Sequence, residues 1–418
     1  MVRILVPVLG GVCLLLAAWV RDVHSQAPRG DTGHAALDGF SHELPAAAAP
    51  GPGRVPARSK PGSKRPAAVE QWVTGAFPHH IVLSDFNGDG LPDLAIANAG
   101  ARTVTVLLGR KQGGFTPPVH YPCGKGPSWV DVADLDGDGN MDLVVANTGG
   151  ASLTLYFGDG QGAFTRRTDV PDVPAASSVV ALDLNGDGLP DLVVAQPGLS
   201  RVQVILNRGA GRLDPGPSLA VDTAPHIVDR ADLYAPGHPV LVVGSLVNHT
   251  LAVFRGGQDG ALSAGASMQV GRYPHYRAYG DWNGDGRMDI AVAVAGEGAV
   301  DLLFGDGNGG FIPGPRIPAG INPHGLTQGD FNGDGHADLA VSNRASRNVI
   351  VFLGDGRGGF SPQPPLPIGE DIIALIAADF DGDSKQDLAL ISASTNRVLL
   401  LLGDGAGGFT PWNRKAAP

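Results

Sequence analysis

The sequence predicts an all-β fold, a seven-bladed β-propeller with four antiparallel strands in each 49-residue blade. Three observations predict it. An acidic nonapeptide begins at Asp85 (DFNGDGLPD), Asp134 (DLDGDGNMD), Asp183 (DLNGDGLPD), Asp281 (DWNGDGRMD), Asp330 (DFNGDGHAD) and Asp379 (DFDGDSKQD), at intervals of 49 residues with one gap of 98. The gap holds a decayed copy at Asp232 (DLYAPGHPV), so seven units run in series without insertion or deletion. A bulky apolar marker keeps the same interval at Phe115, Phe164, Leu213, Leu262, Phe311, Phe360 and Phe409.

Each unit reads as strands. In the first, HIVL at 80–83 precedes the acidic loop, DLAIA at 93–97 follows it, TVTVLL at 103–108 comes next, and PVHY at 118–121 follows the marker. β-branched residues are frequent, and Gly or Pro stands at each junction. Gly (62) and Pro (34) are abundant enough to favour many turns over long helices. Four strands per repeat suit a propeller better than a β-solenoid, the competing repeat architecture. The chain ends agree. The last unit stops soon after Phe409, which leaves no room for its fourth strand. Residues 69–75 lie 49 before 118–124, the outer strand of the first unit. The N-terminal segment is therefore expected to supply the missing strand of blade 7 and close the ring.

Residues 1–25 read as a signal peptide. Arg3 supplies a positive charge, residues 4–20 are apolar, and cleavage is expected after Ser25. A retained anchor is the other reading of that apolar run, which is near the lower length limit for spanning a bilayer. Residues 26–66, rich in Pro, Ala and Gly, read as a disordered linker. Residues 67–413 form the propeller and 414–418 a tail. Cys123 is the one cysteine left after cleavage, so no internal disulfide is available. A secreted, periplasmic or cell-surface location and a monomeric state are expected, without stable membrane insertion after cleavage. The net charge of −11 speaks against nucleic acid as a partner.

The acidic loops follow the pattern D-x-[DN]-x-D-[GS]-x-x-D. Oxygen-bearing side chains recur at positions 1, 3, 5 and 9: Asp85, Asn87, Asp89 and Asp93; Asp134, Asp136, Asp138 and Asp142; Asp183, Asn185, Asp187 and Asp191; Asp281, Asn283, Asp285 and Asp289; Asp330, Asn332, Asp334 and Asp338; Asp379, Asp381, Asp383 and Asp387. With the backbone carbonyl of position 7 (Leu91 in the first loop), they offer a hard cation the oxygens it needs, and six Ca²⁺ sites are expected. Gly at position 6 permits a left-handed backbone; Ser384 replaces it in the last loop, where strain should make that site the weakest. Copy 4, at Asp232, keeps one ligand of four, so no metal is expected there. The loops are not EF-hands, because Ile96 stands where position 12 would need an acid. Twenty of the 41 acidic residues fall in these six loops. Without a cation they would repel one another.

These units resemble the FG-GAP/VCBS repeat family, which includes the propeller of integrin α subunits. The resemblance rests on the DFNGDGLPD-type loops and on the Phe-Gly-Asp-Gly-x-Gly-x-Phe run at 157–164 and 304–311. It implies calcium loops between strands 1 and 2 of a blade, on the lower face. Members include adhesion receptors, lectins and some sugar-active enzymes, so fold is implied and function stays open.

On the opposite face, four units begin with Pro-His: Pro78-His79, Pro225-His226, Pro274-His275 and Pro323-His324. One reading is a consensus hydrogen bond to the neighbouring blade. The other is a site for metal or an anionic ligand formed by His79, His226, His275, Tyr276, Arg277 and His324. Trp129 and Asp131 in copy 2 are polar or aromatic exceptions that stand isolated in the sequence. No catalytic residues are assigned, since there is no nucleophile elbow, no HExxH and no phosphate loop. The expected function is an extracellular binding or adhesion module for carbohydrate or protein. The alternative is a lyase-like, polysaccharide-active enzyme using the His/Tyr/Arg patch.

Overall fold

The computed structural model describes residues 71–412, apart from 222–223, 232, 234–239 and 258. The expected signal peptide, linker and tail, and most of the decayed loop of copy 4, lie outside the described residues.

The described chain forms seven antiparallel sheets in succession. Blade 1 contains Pro78–Ser84, Asp93–Asn98, Thr103–Leu107 and Val119–Pro122, and the same order recurs in each later blade. The helical content among the described residues is one 3₁₀ turn at Pro197–Leu199, and no helix there is long and apolar enough to cross a membrane.

The second strand of every blade is buried along its whole length, as in Asp93–Asn98 and Asp387–Ser392. Its side chains alternate between two faces, and each face meets a different blade. Leu94 and Ile96 pack toward blade 7, whereas Ala95 and Ala97 pack toward blade 2. This explains why the strand reads as a continuous apolar run. The apolar core is correspondingly divided into seven clusters, one at each junction between neighbouring blades. The outermost strands are mostly exposed; in Phe164–Val170 only Phe164 is fully buried.

Ring closure follows the sequence expectation, with one correction. Trp72–Val73 pairs with Arg397–Gly403 of blade 7, joining Trp72 to Val398 and Val73 to Arg397. Phe409–Pro411 nevertheless also pairs with that strand, at Gly403, Leu402 and Leu401. A seven-residue third strand has length for two short partners, so the two ends of the chain share the outer position. Blade 6 splits its outer strand similarly, into Phe360–Pro362 and Leu366–Pro367. Trp72 and Trp412 are both buried in the closing cluster, and Trp72 Nε1 donates to the Phe115 carbonyl at 3.0 Å.

Candidate functional site: acidic loops and the central channel

Each acidic loop joins the innermost strand of a blade to the second, so all six lie on one face of the ring. The position-1 carboxylate organises the turn. One oxygen of Asp85 accepts the Gly88 N–H and the other the Gly90 N–H, both at 2.8 Å. Asp134, Asp183, Asp281 and Asp330 repeat these bonds. The glycines at positions 4 and 6 both have positive φ, as in Gly88 (70°) and Gly90 (80°). Sequence reasoning singled out position 6 alone. Ser384 adopts φ 67° with its N–H on Asp379, so the non-glycine residue accepts the left-handed conformation that the loop imposes.

Position 9 has a second duty that the pattern did not reveal. Asp93 is fully buried; one oxygen accepts the Phe86 N–H at 2.9 Å and the other the Gly109 N–H at 2.7 Å. Asp142, Asp289, Asp338 and Asp387 make the same pair of bonds. This aspartate ties the loop to the end of the third strand. Burial pushes Asp93 and Asp142 up to about 6 and Asp387 up to about 7, against the pull of the N–H groups they accept.

The loops also hold neighbouring blades. Phe86, Trp282 and Phe331, at position 2, are buried in the clusters between blades. Their carbonyls accept N–H bonds from Gly162, Gly358 and Gly407, in the strand 3–4 turn of the next blade. Order in one loop is thereby passed to the adjacent blade.

The donor set fits a hard cation. One carboxylate oxygen each from Asp134, Asp136 and Asp138 lies within 4.8 Å of the others, and the same holds for Asp379, Asp381 and Asp387. Oδ1 of Asp136 is buried and accepts no hydrogen bond. The other four loops carry Asn at position 3, whose amide oxygen accepts the position-5 N–H and whose amide donates to the position-5 carboxylate, as Asn87 does with Asp89 at 3.0 and 3.1 Å. A metal ion can be held by such acidic clusters. Cationic side chains also approach them: Lys385 Nζ lies 2.9 Å from Asp383, and Arg166 contacts Asp136.

The Pro-His positions lie at the other end of the innermost strands. A register shift falls between Pro78 and His80 in blade 1, and at the matching place in blades 2, 4 and 7. Such a bulge re-aims the extra residue. His79 Nδ1 reaches the Ser128 carbonyl at 2.8 Å, Ser128 Oγ the Ser177 carbonyl at 2.9 Å, Ser177 Oγ the His226 carbonyl at 2.6 Å, and His324 Nδ1 the Ile373 carbonyl at 2.6 Å. Each bond links a residue to its equivalent, or in blade 6 the equivalent position, 49 residues on. The blade-to-blade reading therefore describes His79 and His324, whereas Nδ1 of His226 is buried without a hydrogen-bond partner. Among the described residues, no three His side chains converge on one metal position. His275 and His324 stack at 4.3 Å and are buried. Burial lowers His80, His226 and His275 to about 3, and also lowers His79 and His324.

The rest of the sequence-derived patch separates from this ring. Tyr276 reaches from blade 5 across the channel and donates to the His79 carbonyl of blade 1 at 3.0 Å. It lies beside the stacked pair His80–Trp129, with centroids 5.8 and 5.9 Å away. Arg277 turns instead to blade 4, where it binds Asp229 at 2.6 Å and the Ile227 carbonyl at 3.2 Å. Tyr279 donates to the same carboxylate at 3.0 Å. Burial acts to lower Arg277, but Asp229 and Tyr279 outweigh it and hold the guanidinium above its usual value. Trp129 and Asp131 are not isolated. Asp131 Oδ2 accepts from Arg230 at 3.2 Å and from the Ala181 N–H at 2.8 Å. Closure of the ring brings blades 2, 4 and 5 together around a cavity of about 320 Å³. The signal in the sequence is that Asp131, Asp229, Arg230, Arg277 and Tyr279 stand at channel positions that are mostly apolar in the sister blades.

Comparison with known proteins agrees with this architecture. The FG-GAP-like repeat family matches residues 85–145, 134–194, 281–341 and 330–390. No curated protein sequence matches the chain. Among solved structures, a putative 6-phosphogluconolactonase from Bacteroides fragilis superposes with TM-score 0.60 at 13% identity, over 80% or more of each chain (81% of this one and 94% of that one). A protein from Lactobacillus plantarum gives 0.57 at 14% identity, covering 80% of this chain and 95% of that one. An Agrocybe aegerita lectin that recognises non-reducing terminal N-acetylglucosamine gives 0.51 at 18% identity, covering 79% and 92%. These likenesses concern the fold, and the repeat matches span more than half of the sequence: the chain belongs to the FG-GAP-like repeat family.

Proposed function

We propose that this propeller is a calcium-stabilised extracellular module that binds carbohydrate or protein, exported by the N-terminal signal peptide and working as a monomer in a secreted, periplasmic or cell-surface setting. The carrying observation is the polarity of the ring. One face holds the six acidic loops, suited to Ca²⁺ at the millimolar levels found outside cells. The other presents Phe77 (62% exposed), Tyr273 (46%) and Ile321 (69%) before the innermost strands, with Leu199 and Val247 in turns between second and third strands. Exposed apolar residues gathered on one face of a rigid scaffold suit partner recognition. A lectin with the same fold supports carbohydrate as one ligand class. Nucleic acid is a poor partner for a chain of net charge −11. The lyase-like alternative needs a solvent-reachable acid and base, whereas the Tyr276 hydroxyl is engaged with His79 and His275 is buried. The test is retention of the purified chain on arrays of glycans and extracellular proteins, in calcium and in EDTA. Retention on a defined class in calcium, lost in EDTA, is expected. No retention in calcium would refute the reading.

A further inference from the structure

The cavity in the central channel has a floor, a polar wall and a mouth. Its floor is the aromatic group of His80, Trp129 and Tyr276, which crosses the channel toward the Pro-His end. Its mouth faces the acidic-loop side, because the side chains nearest that end are the more exposed ones. Arg230 is 45% exposed there, while Arg277 deeper in the channel is 1% exposed. The volume of about 320 Å³ falls at the lower end of the ~300–1,000 Å³ typical of small-ligand sites.

The lining limits the ligand chemistry. Two carboxylates, Asp131 and Asp229, face two guanidiniums, Arg230 and Arg277, and they are already paired with one another. A ligand of net charge finds no unmatched counter-ion. A wholly apolar ligand would cover these polar groups and remove their access to water. Arg230 uses Nη1 for Asp131 and the Ala181 carbonyl, and its side chain stays partly open to solvent. Val82, Val180 and Ile376 supply apolar wall between the polar groups. A neutral polyol offers donors for carboxylates, acceptors for Arg230, and C–H faces for the aliphatic and aromatic surfaces.

We propose that the channel cavity binds one neutral sugar residue, entering from the acidic-loop face and gripped by Arg230, Asp131 and Asp229 above the Trp129–Tyr276 floor. The assignment rests on the binding-module reading and deepens it by naming a ligand class and a place. The site lies inside the ring, on the axis, away from the exposed apolar face.

The test is calorimetric titration of the full chain in calcium with glucose, galactose, mannose and N-acetylglucosamine, with glutamate and arginine as net-anionic and net-cationic probes. At least one sugar is expected to bind one-to-one, and neither amino acid. Arg230→Ala should weaken that sugar at least about tenfold, the scale of losing a hydrogen bond to a charged group. Ile376→Trp, which fills the cavity without touching a charge, should abolish binding and covers the case in which Arg230→Ala fails to fold. Sugar binding unchanged in Ile376→Trp, binding of an amino acid instead, or no sugar binding overturns the cavity assignment. Array retention by a chain whose cavity fails these calorimetric tests leaves the binding-module reading standing while the cavity assignment falls; absence of retention on every array together with no sugar binding removes both.

Discussion

Withdrawing calcium with EDTA is expected to lower the melting temperature of the full chain by about 10 °C. Extracellular calcium modules bind Ca²⁺ with Kd of ~10⁻⁴–10⁻³ M, and the six proposed sites are assigned the tighter value. At ~1 mM calcium each site then contributes roughly 1.4 kcal/mol, and six together ~8 kcal/mol. That sum is comparable to the ~5–15 kcal/mol stability of a whole domain. The structure supplies the route. The position-1 aspartate folds the loop, position 2 is buried between blades, and its carbonyl receives the turn of the next blade. Two variants of one loop separate its roles. Asp334→Ala removes an exposed, proposed ligand that accepts from the His336 N–H and the Asn332 amide, so its cost should be about 1 kcal/mol larger in calcium than in EDTA. Asp338→Ala strands the buried N–H groups of Phe331 and Gly354, so it should cost about 2–5 kcal/mol even in EDTA, with the loss of a proposed ligand added in calcium. Calorimetric melting of both variants, with and without chelator, checks the split. Equal behaviour of the two would contradict it.

Acid is expected to unfold the calcium-loaded ring well above the usual carboxylate range. His80, His226 and His275 are buried as neutral imidazoles and titrate at about 3 in the folded chain. In the unfolded chain they titrate at ~6.5. Between those values the unfolded state binds more protons, so stability rises with pH across the window. The contribution is complete above pH ~6.5 and is lost as pH falls toward 3. At pH 5 each imidazole costs about 2 kcal/mol, and the three together about 6 kcal/mol. The raised carboxylates Asp93, Asp142 and Asp387 act with the opposite sign when calcium is absent. They bind protons more readily in the folded chain, so mild acid supports them. Denaturant unfolding at pH 7 and pH 5 should therefore show a large loss of stability in calcium and a smaller one in EDTA. His226→Phe should reduce the loss in calcium by about 2 kcal/mol. A stability independent of pH over this range would contradict the account.

The repeat made most of the fold legible. A period of 49 fixes the number of blades, and the unbroken burial of DLAIAN follows from packing each second strand between two neighbours. The N-terminal closing strand was legible because residues 69–75 align with a known outer strand. The pairing of Phe409–Pro411 was not, because a repeat boundary does not say how two short segments divide one partner. The acidic side chains were found by pattern. The structural duty of the position-9 aspartate was hidden, since its partner N–H groups, such as Gly109, carry no side-chain signature. The channel was the least legible region. Tyr276 and His79 stand 197 positions apart, and Arg230 and Asp131 stand 99 apart. No local spacing links them; only closure of the ring does.

The most direct test of the central claim is a count of bound metal. The purified chain, dialysed to equilibrium in ~1 mM calcium, should hold close to six Ca²⁺ per molecule in excess of the bath by elemental analysis. Exchange of position-1 aspartates should remove ions one at a time. A chain that carries none, and melts at the same temperature with or without chelator, would contradict the account.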